Sequence, residues 1–282
     1  LTHLDQSIST IITPNGIRRK KHSLRHELIS KLSYLESVMF ITLADLKSRI
    51  FGKSLGVVWL LVEPAISASL YYLLTAVIFN AAGNKHHFLF ILISVIFWRW
   101  FSKTIDSSPN ALISFASILK QTNFPVQVGF FSFVITETCL FLINFTVLVF
   151  FLTLNGFSPN LAYFQLPLLI ITQLLLTYSL ALYCAIVGTF FKDLGSFLYA
   201  LTTVWWYLSP GIYPVSKIPY NFRWLFELNP FAHFLPGYRS ILLDGEFVSL
   251  TPFLIISLGA IGLAALGTRL LSIARYRFFS FL

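Results

Sequence analysis

Charge is scarce in this 282-residue chain. Only 11% of its residues are Asp, Glu, Lys or Arg, where a soluble domain carries about 25%. So few charges cannot cover a water-facing surface, and 56% hydrophobic content makes hydrocarbon the expected solvent. Cysteine is nearly absent. Cys139 and Cys184 both fall in apolar runs, which excludes a disulfide framework and a thiolate metal site. The six histidines, at 3, 22, 26, 86, 87 and 233, lack companion carboxylates at ligating spacing. His86 and His87 alone are adjacent, and adjacent residues point apart on a helix, so they read as an outer loop and no metal is expected. No cytoplasmic loop carries two carboxylates together, as a membrane-embedded glycosyltransferase would need. An apolar h-region is also missing from residues 1–50, so no signal peptide is expected.

One short stretch, "FGKSLGVVW" at 51–59, shares Gly52-Lys53-Ser54 with the end of an ATP-binding P-loop. The full motif needs a first glycine five residues earlier, where Lys47 stands. It also needs a preceding buried strand, whereas "ITLADLKSRI" reads as helical. ATP is therefore expected to bind elsewhere.

What the chain has is basic ends and apolar runs. The net charge is +9, and nine of the twenty Lys and Arg precede residue 54, with three more in the last fourteen residues. Cations at the ends of apolar spans mark cytoplasmic segments rather than a nucleic-acid surface. A helix needs about 20 apolar residues to cross the hydrocarbon. Six stretches qualify: 57–79, 88–105, 126–154, 161–191, 194–212 and 252–271, the second weakened by Arg99 and Lys103. The Lys/Arg bias of the loops places both termini in the cytoplasm. Residues 213–250 are aromatic but broken by Pro219, Pro230 and Pro236. They read as two short re-entrant helices in the outer leaflet, which survive only when packed on protein or lining a cavity.

The fold class expected is thus an all-α integral membrane protein with six transmembrane helices and a re-entrant pair between spans five and six. Residues 1–56 form a cytoplasmic N-terminal segment and 57–282 the transmembrane domain. Up to about residue 23 the segment is basic and without periodic pattern. From Leu24 onward, Leu28, Ile29, Leu32, Leu35, Val38 and Met39 recur at helical spacing among charges. That pattern predicts an amphipathic helix in the membrane interface, or one packed on a soluble partner. Within the spans, Glu63 lies where a wet cytoplasmic vestibule could solvate it. Glu137 is deeper, between Thr136 and Thr138, and is expected to hydrogen-bond between helices; a proton relay would call for a chain of such groups.

A pore or transporter part without its own energy source is what these features describe. "DLKSRIFGKSLGVVWLLVEP" resembles the opening signature of type 2 ABC exporter permeases for polysaccharides, through Lys47, Arg49, Gly52, Leu55, Gly56, Trp59 and Pro64. "FFKDLG", "LSPGIYPVSKIP" and "LNPFAHFLPGYR" follow in the order that family shows, so the resemblance covers residues 30 to 280. It implies a homodimer with two ATPase subunits that bind ATP and Mg, so no cofactor is expected in this chain. The implied cargo is a lipid-linked polysaccharide such as O-antigen, capsule or teichoic acid, exported across the bacterial inner membrane. The same architecture exporting drugs or small lipids is the alternative.

The resemblance makes "GKSLG" a hinge into span one: Gly52 and Gly56 permit a bend, and Ser54 can cap the new helix. Aromatics are 17% of the chain, and ring faces stack on pyranose faces while leaving hydroxyls free. Tyr71, Tyr72, Trp98, Trp100, Trp205, Trp206 and Tyr207 are the candidate channel-lining set, although Trp and Tyr also anchor membrane helices generally. Between Pro109 and Pro125 a short cytoplasmic helix is expected to dock on the ATPase through Lys120 and Gln121, helped by Lys192 and Asp193. In the re-entrant pair, Trp224, Asn229, Pro230 and Phe231 are the candidate outer gate, with Asn229-Pro230 at the deep turn and Arg223, Glu227 and Arg239 at the outer interface.

Overall fold

The computed structural model describes the backbone of residues 7–13, 16–22, 24–52, 56, 58–78, 86–114 and 126–281. The basic N-terminal stretch, expected to lack regular structure, forms a hairpin. Strand β1 (Ser7–Thr13) pairs antiparallel with β2 (Gly16–His22), Thr13 standing opposite Gly16. The β-branched Ile and Thr of "SISTIIT" suit a strand. All other described regular structure is helical, as expected for a chain that must satisfy its backbone polar groups away from water.

The helices are α1 (Leu24–Phe51), α2 (Val58–Ile78), α3 (His87–Ser114), α4 (Val126–Leu154), α5 (Leu166–Gly188), α6 (Leu194–Tyr207), α7 (Arg223–Glu227), α8 (Phe231–Arg239) and α9 (Thr251–Phe281). A 3-10 turn, Leu161–Gln165, leads into α5, its first residues capped by the Asn160 carboxamide oxygen. Among the described residues five helices are long and apolar enough to cross a membrane: α2, α3, α4, α5 with its leading turn, and α9. The fifth stretch expected to span is shorter than its sequence suggested. Helix α6 has 14 residues, about 21 Å at 1.5 Å per residue, against a hydrocarbon core of about 30 Å. It stops because Ser209-Pro210-Gly211 turns the chain.

Helix α3 is the axle of the molecule. It packs against α2, α4, α5, α6 and α8, and 72% of its apolar window is buried, against 17% for α2 and for α9. Its run Ile91–Trp98 is buried on every side, as an all-round hydrophobic helix must be. The helix also continues past the expected end near Ile105, through Pro109 to Ser114. Pro109 lacks the N–H that would bond the Ile105 carbonyl. The Ser108 hydroxyl donates to that carbonyl at 2.7 Å instead, so the proline does not break the helix. The cytoplasmic helix expected from Pro109 therefore does not begin there, and Lys120 and Gln121 lie outside the described residues. Gly188 at the end of α5 closes on this proline: a Cβ there would come within 2.8 Å of the Pro109 carbonyl oxygen. The approach excludes any side chain.

The amphipathic helix α1 packs on α4, burying Val38 and Thr42 and leaving Leu35, Met39, Phe40 and Leu43 exposed. Of His86-His87, expected in an outer loop, His86 lies in the turn before α3 and His87 opens the helix. His87 is buried, its Nε2 2.8 Å from the Thr75 hydroxyl of α2.

Candidate functional site

At the N-terminal arm, α1 ends with the Gly52 N–H donating to the Ser48 carbonyl at 2.9 Å, and a Cβ on Gly52 would strike that carbonyl. Gly56 follows at φ 46°, in the left-handed region, which glycine enters at no steric cost. Helix α2 starts two residues later. A helix, not a strand, precedes Gly52-Lys53, which is the wrong scaffold for a P-loop. Ser54 lies outside the described residues.

Two ion pairs flank this joint. Arg49, in the last turn of α1, bonds Glu137 of α4 and, at 2.9 Å, Asp45 of its own helix. Glu63 in α2 pairs with Arg99 in α3. Both acids singled out by the sequence thus hold arginines. For Glu137 the interhelical bond is ionic and its partner lies 88 residues away, a pairing no local pattern reveals. Glu137 is 3% exposed while Arg49 is 33% exposed, so the acid depends on the cation more than the reverse. Glu63, Arg99, Lys103, Trp100, Glu137 and Asn144 line one cleft of about 40 Å³ between α2, α3 and α4, room for about three waters.

The aromatics separate into two sets. Trp98 and Trp206 are buried and pack together at 5.5 Å, with Phe231 4.7 Å from Trp98 and Trp205 5.8 Å from Phe231. Trp100 stacks on Phe141 at 4.2 Å, also buried. Tyr207 is 52% exposed, with Tyr71 at 6.5 Å and half-buried; Tyr72 is half-buried on Phe88. Helix α6 explains the division. Leu198, Thr202 and Trp206 at four-residue spacing form its one buried stripe, and Thr202 donates to Asp106 of α3 at 2.9 Å. Tyr199, Thr203 and Tyr207 run along an open face. Tyr199 was overlooked in sequence; its spacing from Tyr207 was the available signal.

The proline-broken segment after α6 is anchored through Asn229. Its Oδ1 accepts from the Trp205 indole and the Phe231 N–H, both at 3.0 Å, and its Nδ2 donates to the Ser209 hydroxyl at 2.9 Å. The turn at Asn229-Pro230 therefore sits on the end of α6. Phe231 is 0% exposed and Trp224 62% exposed, so one is a core residue and the other stands free. Arg239, expected at the outer interface, is buried. Its guanidinium lies 3.8 Å from the Phe90 ring centre and donates to the Pro210 carbonyl at 2.9 Å. A cation among the apolar and aromatic residues of a proline-broken segment was the sequence signal for it. Arg223 and Glu227 are exposed, as are Lys192 and Asp193 in the turn between α5 and α6.

The glycine joint, the charged cleft and helices α7 and α8 all fall inside one family match: a model described as ABC-2 type transporter covers residues 36–243. The chain belongs to the ABC-2 type transporter family. It is a multi-pass membrane protein and a component of a transporter. Two curated relatives are called O-antigen export system permease protein RfbA. One, from Klebsiella pneumoniae, is 29% identical over 83% of this chain and 92% of its own length. The other, from Myxococcus xanthus, is 26% identical over 74% and 81%. The ABC-2 match begins inside α1 and ends in the π-helical turn Ser240–Asp244 that continues α8, so α9 lies beyond it.

Proposed function

We propose that this chain is the permease subunit of an ATP-driven exporter that moves a polysaccharide, of O-antigen class and lipid-linked, out across the bacterial inner membrane. The observation that carries this reading is the ABC-2 family match together with relatives named as O-antigen export permeases, aligned over most of their length. ATP and Mg are bound by two separate ATPase subunits. Two copies of the permease face each other, and the open faces of α2 and α6 support this, with Ile66, Leu70, Tyr199 and Tyr207 exposed on them. Tyr207 and the half-buried Tyr71 and Tyr72 stand where a sugar can stack. Trp98, Trp100 and Trp206 back that wall from inside the protomer.

In this reading α6 is the sixth crossing, completed by the 209–212 turn. The pair α7–α8 re-enters the outer leaflet, both termini are cytoplasmic, and α1 lies in the inner interface. The test is complementation: a strain lacking the gene loses surface polysaccharide and regains it with this chain plus its ATPase. Purified alone the chain hydrolyses no ATP, with Lys53→Ala making no difference, and co-purified ATPase restores turnover. Restored drug efflux with no change in surface glycan would overturn the cargo.

A further inference from the structure

Lys103 is an anomaly inside the cleft. Among the described residues no carboxylate reaches it, while its neighbour Arg99, one helical turn away, pairs with Glu63. Two cations four residues apart repel each other on a helix, and cations within a span are costly and seldom idle. Glu137, the other acid lining the cleft, is already committed to Arg49, which Asp45 also holds. The unmet charge in the cleft is therefore positive and sits on α3.

Depth narrows the ligand. From His87 at the outer end of α3, a rise of 1.5 Å per residue puts Arg99 about 18 Å and Lys103 about 24 Å down the helix. In a core of about 30 Å, both cations fall in the inner half, Lys103 about 6 Å and Arg99 about 12 Å short of the inner headgroup level, given the orientation proposed above. The cleft has 40 Å³ of room, the scale of about three waters or one tetrahedral oxyanion, and too little for a sugar ring. Lys103 is exposed and the Glu63–Arg99 pair about one-third exposed, so the cations are reachable.

We propose that Arg99 and Lys103 form a phosphate-binding subsite in this cleft, with Glu63 as the resident counter-ion that an incoming phosphate displaces from Arg99. Arg99 presents a planar fork to phosphate oxygens and Lys103 a point charge. Glu63, over one-third exposed, can turn to water when displaced. The phosphate arrives either on a lipid, such as the carrier end of the exported glycan, or free from the cytoplasm. The subsite rests on the proposed orientation, but its test does not need export.

The full chain in phosphatidylcholine nanodiscs is titrated with dodecyl phosphate, inorganic phosphate and dodecanol, with binding read by native mass spectrometry. Dodecyl phosphate binds and dodecanol does not. Lys103→Gln and Arg99→Gln each weaken binding by about tenfold or more, and Arg99→Lys, which keeps the charge, weakens it less than Arg99→Gln. Glu63→Gln tightens binding, because it removes the competitor for Arg99; a merely structural ion pair predicts no gain. Inorganic phosphate bound with the same sensitivity assigns the site to free phosphate; its failure to bind assigns it to lipid-borne phosphate. Equal binding of dodecanol, an unchanged affinity in folded Lys103→Gln, or weakening by Glu63→Gln overturns the proposal. Loss of phosphate binding with export intact refutes the subsite alone, whereas absent export with binding intact refutes the exporter reading alone.

Discussion

Replacing Arg49 by alanine strands Glu137. The acid is 3% exposed and its ionic partner is Arg49, so the variant must bury an uncompensated carboxylate or protonate it. Removing one partner of a buried pair costs about 3–5 kcal/mol. Arg49 is one-third exposed and keeps Asp45, which puts the expected loss for Arg49→Ala near the lower end, about 3 kcal/mol. The reverse substitution is milder. Glu137→Gln leaves Arg49 with Asp45 and with water, and about 1 kcal/mol is expected, the scale of one lost hydrogen bond. The double variant should recover most of the Arg49→Ala loss, because no charge is then left buried. Equilibrium denaturation of the four proteins in one detergent closes the double-mutant cycle. A loss below about 1 kcal/mol for Arg49→Ala, the value of a screened surface pair, would refute the dependence of Glu137 on α1. So would a double variant no more stable than Arg49→Ala.

The same logic separates Phe231 from Trp224: Phe231→Ala empties a fully buried site and should cost about 3–5 kcal/mol. Trp224→Ala, at an exposed position, should keep stability within about 0.5 kcal/mol while lowering surface glycan or leaking small ions; equal melting of both variants would contradict the burial argument. Gly188→Ala should strongly reduce folded yield, measured by size-exclusion profile, since its methyl meets Pro109 backbone; a normal profile would mean that α3 and α5 can part there.

Much of this architecture was legible in the sequence, and the reasons are local. Hydrocarbon leaves a 20-residue apolar run few options, so the edges of α4 at Val126 and Leu154 coincide with its apolar run. The periodic leucines from Leu24 locate α1 by the same economy. Asn229-Pro230 was legible as a turn, because proline 230 lacks the N–H a continuous helix would use. Order along the chain, basic ends and the glycine pair around residue 54 carried the family resemblance.

Tertiary structure decided what depends on partners far apart. No local rule says that Ser108 will cover the carbonyl that Pro109 frees, so the helix was expected to stop where it continues. An apolar run through Ile212 cannot announce that α6 ends at Tyr207. Aromatic content does not say which rings are sealed: Trp98 and Phe231 vanish into the interior because α3, α6 and α8 converge on them, while Tyr207 stays open. Arg49 and Glu137, 88 residues apart, became partners only when α1 lay down on α4. Composition and periodicity determine which segments must leave water; which side chains meet once they have left is set by helix packing, and here it created the charged cleft.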